Sequence, residues 1–186
     1  MENNRRNFVK IAAAAVAVCP FYPFVGFSEK KAKSSVRGMS TMERILTAHS
    51  LFGNYRNCCT GVFAAYAPEL GVDENLAVRL TRAMPGIGSS GLVCGAVSGA
   101  TMVIGLKTTN ENNAWDLAAQ HESNSIVRDF IAKFEEKHSS TNCRELLGRD
   151  ISSQAKFDAA VASNAFINCP KLVKSAVTIL DDIFEV

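Results

Sequence analysis

The chain has 186 residues, 47% of them hydrophobic and 20% charged, with 12 Gly, 5 Pro and 6 Cys. That is one domain's length with ample material for a core, and it excludes wholesale disorder. The formal net charge of +2 is concentrated at the start: through Ser28 the chain carries Arg5, Arg6 and Lys10 against Glu2, and the remainder is neutral. A neutral body offers no electrostatic basis for gripping nucleic acid or an anionic membrane.

In chain order, Asn4-Arg5-Arg6-Asn7-Phe8-Val9-Lys10 precedes an apolar, alanine-rich run from Ile11 to Val18. This segment resembles a twin-arginine export signal, with Val9 where Leu is commoner, and such leaders are set aside in reasoning about a fold. A spanning helix needs about 20 apolar residues; Ile11 to Phe27 supplies 17, interrupted by Pro20 and Pro23. The expectation is a signal peptide over residues 1–28, cut after Gly26-Phe27-Ser28 and carrying Cys19 away. Membrane association would follow only if it were retained. The resemblance implies a periplasmic or cell-envelope location. It also raises the expectation of a cofactor, because this route typically carries proteins already folded.

Residues 29–40 read as a basic, Ser/Gly-containing linker, and residues 41–186 as the functional domain. Ser40 or Thr41 caps a first helix with Glu43 in its first turn. Tyr55, Cys59, Val62, Phe63 and Tyr66 recur at helical spacing, and Pro68 and Gly71 end that element. Asp73 caps a helix through Met84, with Leu76, Leu80 and Ala83 as its expected buried stripe. A Gly-rich turn, Pro85 to Gly91, leads into a helix from Cys94 to Leu106. Ile126, Val127, Phe130, Ile131 and Phe134 mark a long helix ending near His138. A short element spans Asn142 to Gly148, a modest helix Ala155 to Ser163, and Leu172, Val173, Ala176, Leu180 and Ile183 give the cleanest amphipathic stripe. No segment sustains period-two alternation, so the expected fold is all-α, a compact bundle of about six helices.

Gly86-Ile87-Gly88-Ser89-Ser90-Gly91 matches G-x-G-x-x-G, but the preceding segment has helical period, whereas the dinucleotide fingerprint needs a strand there. No P-loop, G-x-S-x-G elbow, EF-hand loop or H-E-x-x-H is present. His49, His121 and His138 follow no haem-attachment motif and read as surface or helix-end residues.

The remaining cysteines are Cys58, Cys59, Cys94, Cys143 and Cys169. None forms a C-x-x-C pair, which argues against a zinc ribbon, a thioredoxin-like dithiol or a bacterial-ferredoxin cluster loop. Spacing alone leaves structural disulfides, or small buried hydrophobes, as the plain readings. Local context points elsewhere. Cys94 opens a helix after the Gly-rich turn, Cys143 precedes Arg144, and Cys169 precedes Pro170 at the start of the last helix. Helix starts and neighbouring cations favour thiolates, as sulfur ligands and reactive thiols require.

Asn57-Cys58-Cys59-Thr60-Gly61-Val62-Phe63, Cys94-Gly95-Ala96-Val97-Ser98-Gly99-Ala100, Cys143-Arg144-Glu145-Leu146-Leu147-Gly148 and Cys169-Pro170 together resemble the C_GCAxxG_C_C family of small redox-active proteins, over about Met42 to Ile183. The resemblance implies that Cys58, Cys94, Cys143 and Cys169 are the four family cysteines, with Cys59 where a small residue such as Ala is usual. A similar domain in split-Soret-type cytochromes is associated with an iron–sulfur centre; their haem motifs are missing here. The implied function is redox or electron transfer through an iron–sulfur cluster on these four cysteines, with a redox partner protein. Two alternatives stay open: thiol–disulfide chemistry by the same cysteines, or a non-catalytic metal-binding accessory of a transport or respiratory complex. No acid/base pair or substrate is indicated.

Overall fold

The first helix is set by its start. Ser40 stands in extended backbone, its hydroxyl accepts from the Glu43 backbone N–H, and the Glu43 carboxylate returns to the Ser40 N–H at 2.9 Å. This reciprocal capping box satisfies donors that the first helical turn leaves free. The computed structural model describes residues 38–186. The leader over 1–28, including Cys19, and the linker as far as residue 37 lie outside the described residues.

Among the described residues are eight α-helices and no named strand: α1 (Thr41–Tyr55), α2 (Cys58–Tyr66), α3 (Glu74–Thr81), α4 (Gly95–Thr108), α5 (Leu117–His138), α6 (Cys143–Leu147), α7 (Gln154–Ala162) and α8 (Cys169–Phe184), with a 3-10 turn at Ala165–Asn168 before α8. The domain is all-α. Its helices number eight rather than about six, because the short element at Cys143–Leu147 and the modest one at Gln154–Ala162 each form a helix of their own. Gly86–Ser89 makes one turn of helix-like bonding, but Ile87 and Gly88 have positive φ and non-helical backbone. None of these helices is long and apolar enough to cross a membrane.

Helix α2 is the hub. Every residue from Cys59 to Tyr66 is buried, as expected of a helix surrounded by others rather than lying at a surface. It packs against α1, α3, α4 and α8. Its one glycine admits α1 closely: a Cβ on Gly61 would stand 3.0 Å from the Ala48 carbonyl oxygen and 3.1 Å from the Phe52 Cβ. The surrounding core includes Val62, Phe63, Val103, Ile104, Phe130, Phe134, Val173, Ile179 and Leu180. A single contiguous core of this kind is what holds a domain of this size together.

Three helices run in the same direction. At one end the starts of α2, α4 and α8 carry Cys58, Cys94 and Cys169. At the other, the Tyr66 hydroxyl donates to Asp181 at 2.7 Å, and Lys107 pairs with Glu69 at 2.6 Å. Helix α1 runs antiparallel to α8, with Arg44 near Asp181 and His49 near Pro170.

Two local expectations are corrected. Tyr55 ends α1 instead of opening α2, because Arg56 adopts a left-handed conformation at the C-cap (φ 51°) and Asn57 is extended. On α3 the expected stripe is inverted: Leu76 is 44% and Leu80 53% exposed, Ala83 also faces solvent, and the buried residues are Ala77 and Thr81. A close polar contact decides this, since the Thr81 and Thr60 hydroxyls meet at 2.7 Å. Long aliphatic side chains on that face would hold the helices apart.

Candidate redox centre at four helix starts

Each of the four sequence-indicated cysteines stands at a helix start. Cys58 is the first residue of α2. Asn57 before it caps the helix by accepting from the Thr60 N–H at 3.0 Å, and its amide donates to the Thr81 carbonyl at 3.0 Å. One buried side chain therefore both starts α2 and ties it to α3. Cys94 is itself the N-cap of α4. Its N–H donates to Thr141 O at 2.8 Å, and the Cys143 N–H donates to Leu92 O at 2.5 Å. With the antiparallel bridge between Val93 and Asn142, these bonds align residues 92–94 against 141–143. Asn142 then caps α6 through the Arg144 and Glu145 N–H groups. Cys169 opens α8 with Pro170 in its first turn, where a missing N–H costs nothing. The His49 Nε2 donates to the Pro170 carbonyl at 3.0 Å, anchoring that start to α1.

The glycines around these cysteines are there for clearance. A Cβ on Gly95 would lie 3.1 Å from both the Cys58 Cβ and the Cys59 nitrogen. A Cβ on Gly99 would lie 2.8 Å from the Cys59 carbonyl oxygen and 3.0 Å from the Val62 Cβ. The two bare positions, one turn apart, let α4 lie against α2 with Cys94 beside Cys58. Gly86 has a left-handed φ of +54°, and a Cβ there would stand 3.3 Å from the Cys143 sulfur. It meets both the conformational and the steric demand.

The four thiols act on one another. A hydrogen bond with Cys169 pushes the Cys58 thiol well up, helped by burial and by the charges of Cys169, Cys94 and Cys143. The same bond lowers Cys169 against its burial. Burial takes Cys94 up to about 11, opposed by the Ala96 and Val97 N–H groups and supported by the charge of Cys169. Burial, then Cys94 and Cys169, takes Cys143 up to about 12. Desolvation and neighbouring sulfurs keep Cys58, Cys94 and Cys143 protonated, and four such sulfurs at helix starts form an acceptor for positive charge: a cation or cationic core would let them ionise together.

The donor set thus fits a thiolate-bound metal group in chemistry. Among the described residues, however, no group of three or more His, Cys, Asp or Glu is placed to hold a single metal ion, and all five described cysteines are free thiols. A single tetrahedral ion at about 2.3 Å from each sulfur would need the sulfurs about 3.7 Å apart. A cluster of several irons is wider and relaxes that demand.

Cys59 differs from its neighbour. It is 0% exposed, burial followed by the charge of Cys94 pushes it up to about 12, and its sulfur rests 3.9 Å from that of Met102. It packs inside the core, as its spacing with Val62 and Phe63 indicates. Sequence reasoning missed Asn57, Thr81 and Gly86 as supports of the site. An Asn immediately before a helical run was the available signal for the first; the others depend on contacts distant in sequence.

A family model described as "Putative redox-active protein (C_GCAxxG_C_C)" matches residues 56–183. No curated protein and no solved structure matches the chain. The matched stretch runs from Arg56, at the break before Cys58, through all four helix-start cysteines to the end of α8, and the chain belongs to the C_GCAxxG_C_C redox-active family.

Proposed function

We propose that this protein is an exported electron-transfer protein that holds an iron–sulfur cluster on Cys58, Cys94, Cys143 and Cys169. The observation that carries the reading is the convergence of four helix starts, each bearing one of these thiols, with every thiol influenced by at least one of the others. When bound, a cluster accepts and releases single electrons. The chain supplies the surroundings. The Ala96 and Val97 N–H groups point at Cys94, and the positive ends of α2, α4 and α8 face the sulfurs. Each offsets negative charge on the thiolates and so raises the reduction potential. Burial of Cys94 and Cys169 limits water at the centre.

Anaerobic purification from cells with intact cluster maturation tests the proposal. The expected result is a coloured protein with matched iron and sulfide, both lost in Cys94→Ala. A colourless, iron-free protein would overturn it.

A second reading rests on one pairing: the Cys58 and Cys169 thiols push one another in opposite directions, Cys58 up and Cys169 down. These thiols could join as a disulfide, giving up two protons and passing two electrons to a thiol–disulfide acceptor. Thiol trapping with mass mapping would show a 58–169 pair that opens under mild reductant.

Export rests on Arg5-Arg6 and the apolar run after them. Replacing both arginines with lysine should leave the protein in the cytoplasm on fractionation, and unchanged distribution would remove this part of the proposal.

A further inference from the structure

The four cysteines stand on firmly held backbone, but the chain between the last two does not. Cys58 and Cys94 open helices packed into the core. The Cys143 N–H is held by the Leu92 carbonyl, and α8 begins at Cys169 with the Pro170 carbonyl bonded to His49. From Gly148 to Asn168, by contrast, Ile151 and Ala160 alone are buried. Helix α7 buries one residue of nine, Ala160, whereas α2, of the same length, buries eight. The close neighbour of α7 is the 3-10 turn Ala165–Asn168, where the Phe157 and Phe166 rings meet with centroids 5.4 Å apart. Among the described residues, no hydrogen bond or ion pair runs from residues 148–164 to any residue outside 144–168.

This loosely held segment borders the centre. It leaves from α6, which carries Cys143, and returns through the 3-10 turn to Cys169. That turn packs against both α6 and α8, so it bridges two cysteine-bearing elements, with α7 stacked on it. Elsewhere the segment faces the Gly-rich loop across a cleft of about 310 Å³ lined by Gly88, Ser90, Ile151, Ser153 and Phe157 among others. Gly86 of this same loop stands beside the Cys143 sulfur. A gap of that size forfeits the close packing that would hold the two segments together. Both ends of the segment are left-handed turns, with φ 62° at Gly148 and 56° at Asn164. A few such element-terminal residues are enough to absorb a hinge motion. At its base Asp150 pairs with Lys156 at 2.6 Å and with Arg144 at 3.5 Å, and surface pairs of this kind add little stability.

We infer that residues 148–164 form a lid, hinged at Gly148 and Asn164, that opens as a local unit to admit the metal group to the four thiols and closes once it is bound. This rests on the cluster reading above. Local opening belongs to segments that bury little apolar surface and share few bonds with the body. Lifting this one disturbs no helix start that carries a cysteine, so the four sulfurs keep their places while the approach clears. The side between α2 and α4 is shut, because Gly95 and Gly99 bring those helices into contact at Cys58 and Cys59. The Phe157–Phe166 ring contact is the latch.

Amide hydrogen exchange and alkylation by N-ethylmaleimide, mapped by mass at Cys169, test the lid on the metal-free full chain. Amides of 154–162 should exchange at least about a hundredfold faster than those of α2. After anaerobic loading with ferrous iron and sulfide they should slow at least about tenfold. Phe157→Ala should speed both the alkylation of buried Cys169 and the uptake of iron about tenfold, by releasing the latch. Ile45→Val, which weakens the buried core on α1, should leave both rates unchanged, and so separates lid opening from global unfolding. Exchange of 154–162 at the rate of α2, or alkylation of Cys169 that answers to Ile45→Val and not to Phe157→Ala, would overturn the lid. Iron uptake at the parent rate in a Phe157→Ala chain that alkylates faster would overturn entry of the metal group by this route. The two readings fail separately. A chain whose Cys169 alkylation answers to Phe157→Ala but which binds neither iron nor sulfide sinks only the cluster. An iron-loading chain whose metal-free α7 is as protected as α2 sinks only the lid.

Discussion

The Arg44 guanidinium and the Asp181 carboxylate meet at 3.2 Å with 1% of either side chain exposed. Arg44 also pairs with Glu69 at 2.9 Å and lies 4.2 Å over the Tyr66 ring, while Tyr66 donates to Asp181. This cluster sits toward the C-terminal ends of α2 and α8, and Asp181 is twelve residues along α8 from Cys169, about 18 Å at 1.5 Å per residue. Helices α2, α4 and α8 run in parallel, so their dipoles place positive ends at the cysteines and negative ends at Arg44 and Lys107. Side-by-side parallel dipoles repel. Metal-bound thiolates at one end, as proposed above, and buried or half-buried cations at the other would make the arrangement favourable. The centre and the distant ion pairs are thus two halves of one electrostatic design.

Removing Arg44 should therefore be costly. Arg44→Leu leaves the Asp181 carboxylate buried with only the Tyr66 hydroxyl, and should lose about 3–5 kcal/mol in urea unfolding. Adding Asp181→Leu should restore part of that loss, because an apolar pair needs no compensation. A single mutant within about 1 kcal/mol of the parent would contradict the account.

Glu69 gives a pH dependence of defined sign. Burial pushes its carboxyl up, but the hydrogen bond from Lys107 and the charges of Arg44 and Lys107 outweigh it, and the net shift is downward. A carboxyl lowered by folding stabilises the native state above its unfolded pKa, and that contribution is lost as pH falls through the folded value. Glu69 is 34% exposed, so screening holds the effect below about 1 kcal/mol. Glu69→Gln should be slightly less stable than the parent at pH 7, and thermal melts should converge below about pH 4.

Two glycines of α4 should respond to alanine in opposite ways. At Gly99 the added Cβ would stand 2.8 Å from the Cys59 backbone oxygen, so α2 and α4 must separate. Overpacking of this kind costs about 1–3 kcal/mol, and the separation should also reduce iron content by moving Cys94 away from Cys58. At Gly105 a Cβ meets nothing within 4 Å, and alanine should add about 0.5–1 kcal/mol through helix propensity alone. Melting curves and iron assays on the pair separate the two effects. A Gly99→Ala protein as stable and as iron-rich as the parent would show that the close approach is dispensable.

What the sequence makes legible follows from how local each feature is. The Ser40–Glu43 capping box, the stripe of α8 and the helix starts at Cys94, Cys143 and Cys169 depend on residues within a turn or two, and pattern reading finds them. The break at Arg56 is different. Its left-handed cap carries no glycine to announce it, and without it Cys58 reads as mid-helix. The α3 stripe is misread for a related reason: Leu76 and Leu80 hold the helical period, but the Thr60–Thr81 contact, formed across 21 residues, selects the smaller face for burial. Convergence of the thiols is less visible still, because it arises from Gly95 and Gly99 admitting one helix to another.

Cys59 separates packing from ligation at adjacent positions. It is enclosed in the core while Cys58 stands half-buried among the other thiols, so the two should give opposite results when truncated. Cys59→Ala removes one sulfur from a packed site and should cost about 1 kcal/mol, with iron and sulfide unchanged. Cys59→Ser should cost more, about 1–3 kcal/mol, since a buried hydroxyl there replaces a sulfur whose only polar neighbour is the Met102 thioether. Cys58→Ala should leave stability of the metal-free chain nearly untouched and abolish the cluster, as read by visible absorption and iron content. If Cys59→Ala loses the iron and Cys58→Ala keeps it, the ligand is the buried thiol, and α2 must turn at its first residue to present it.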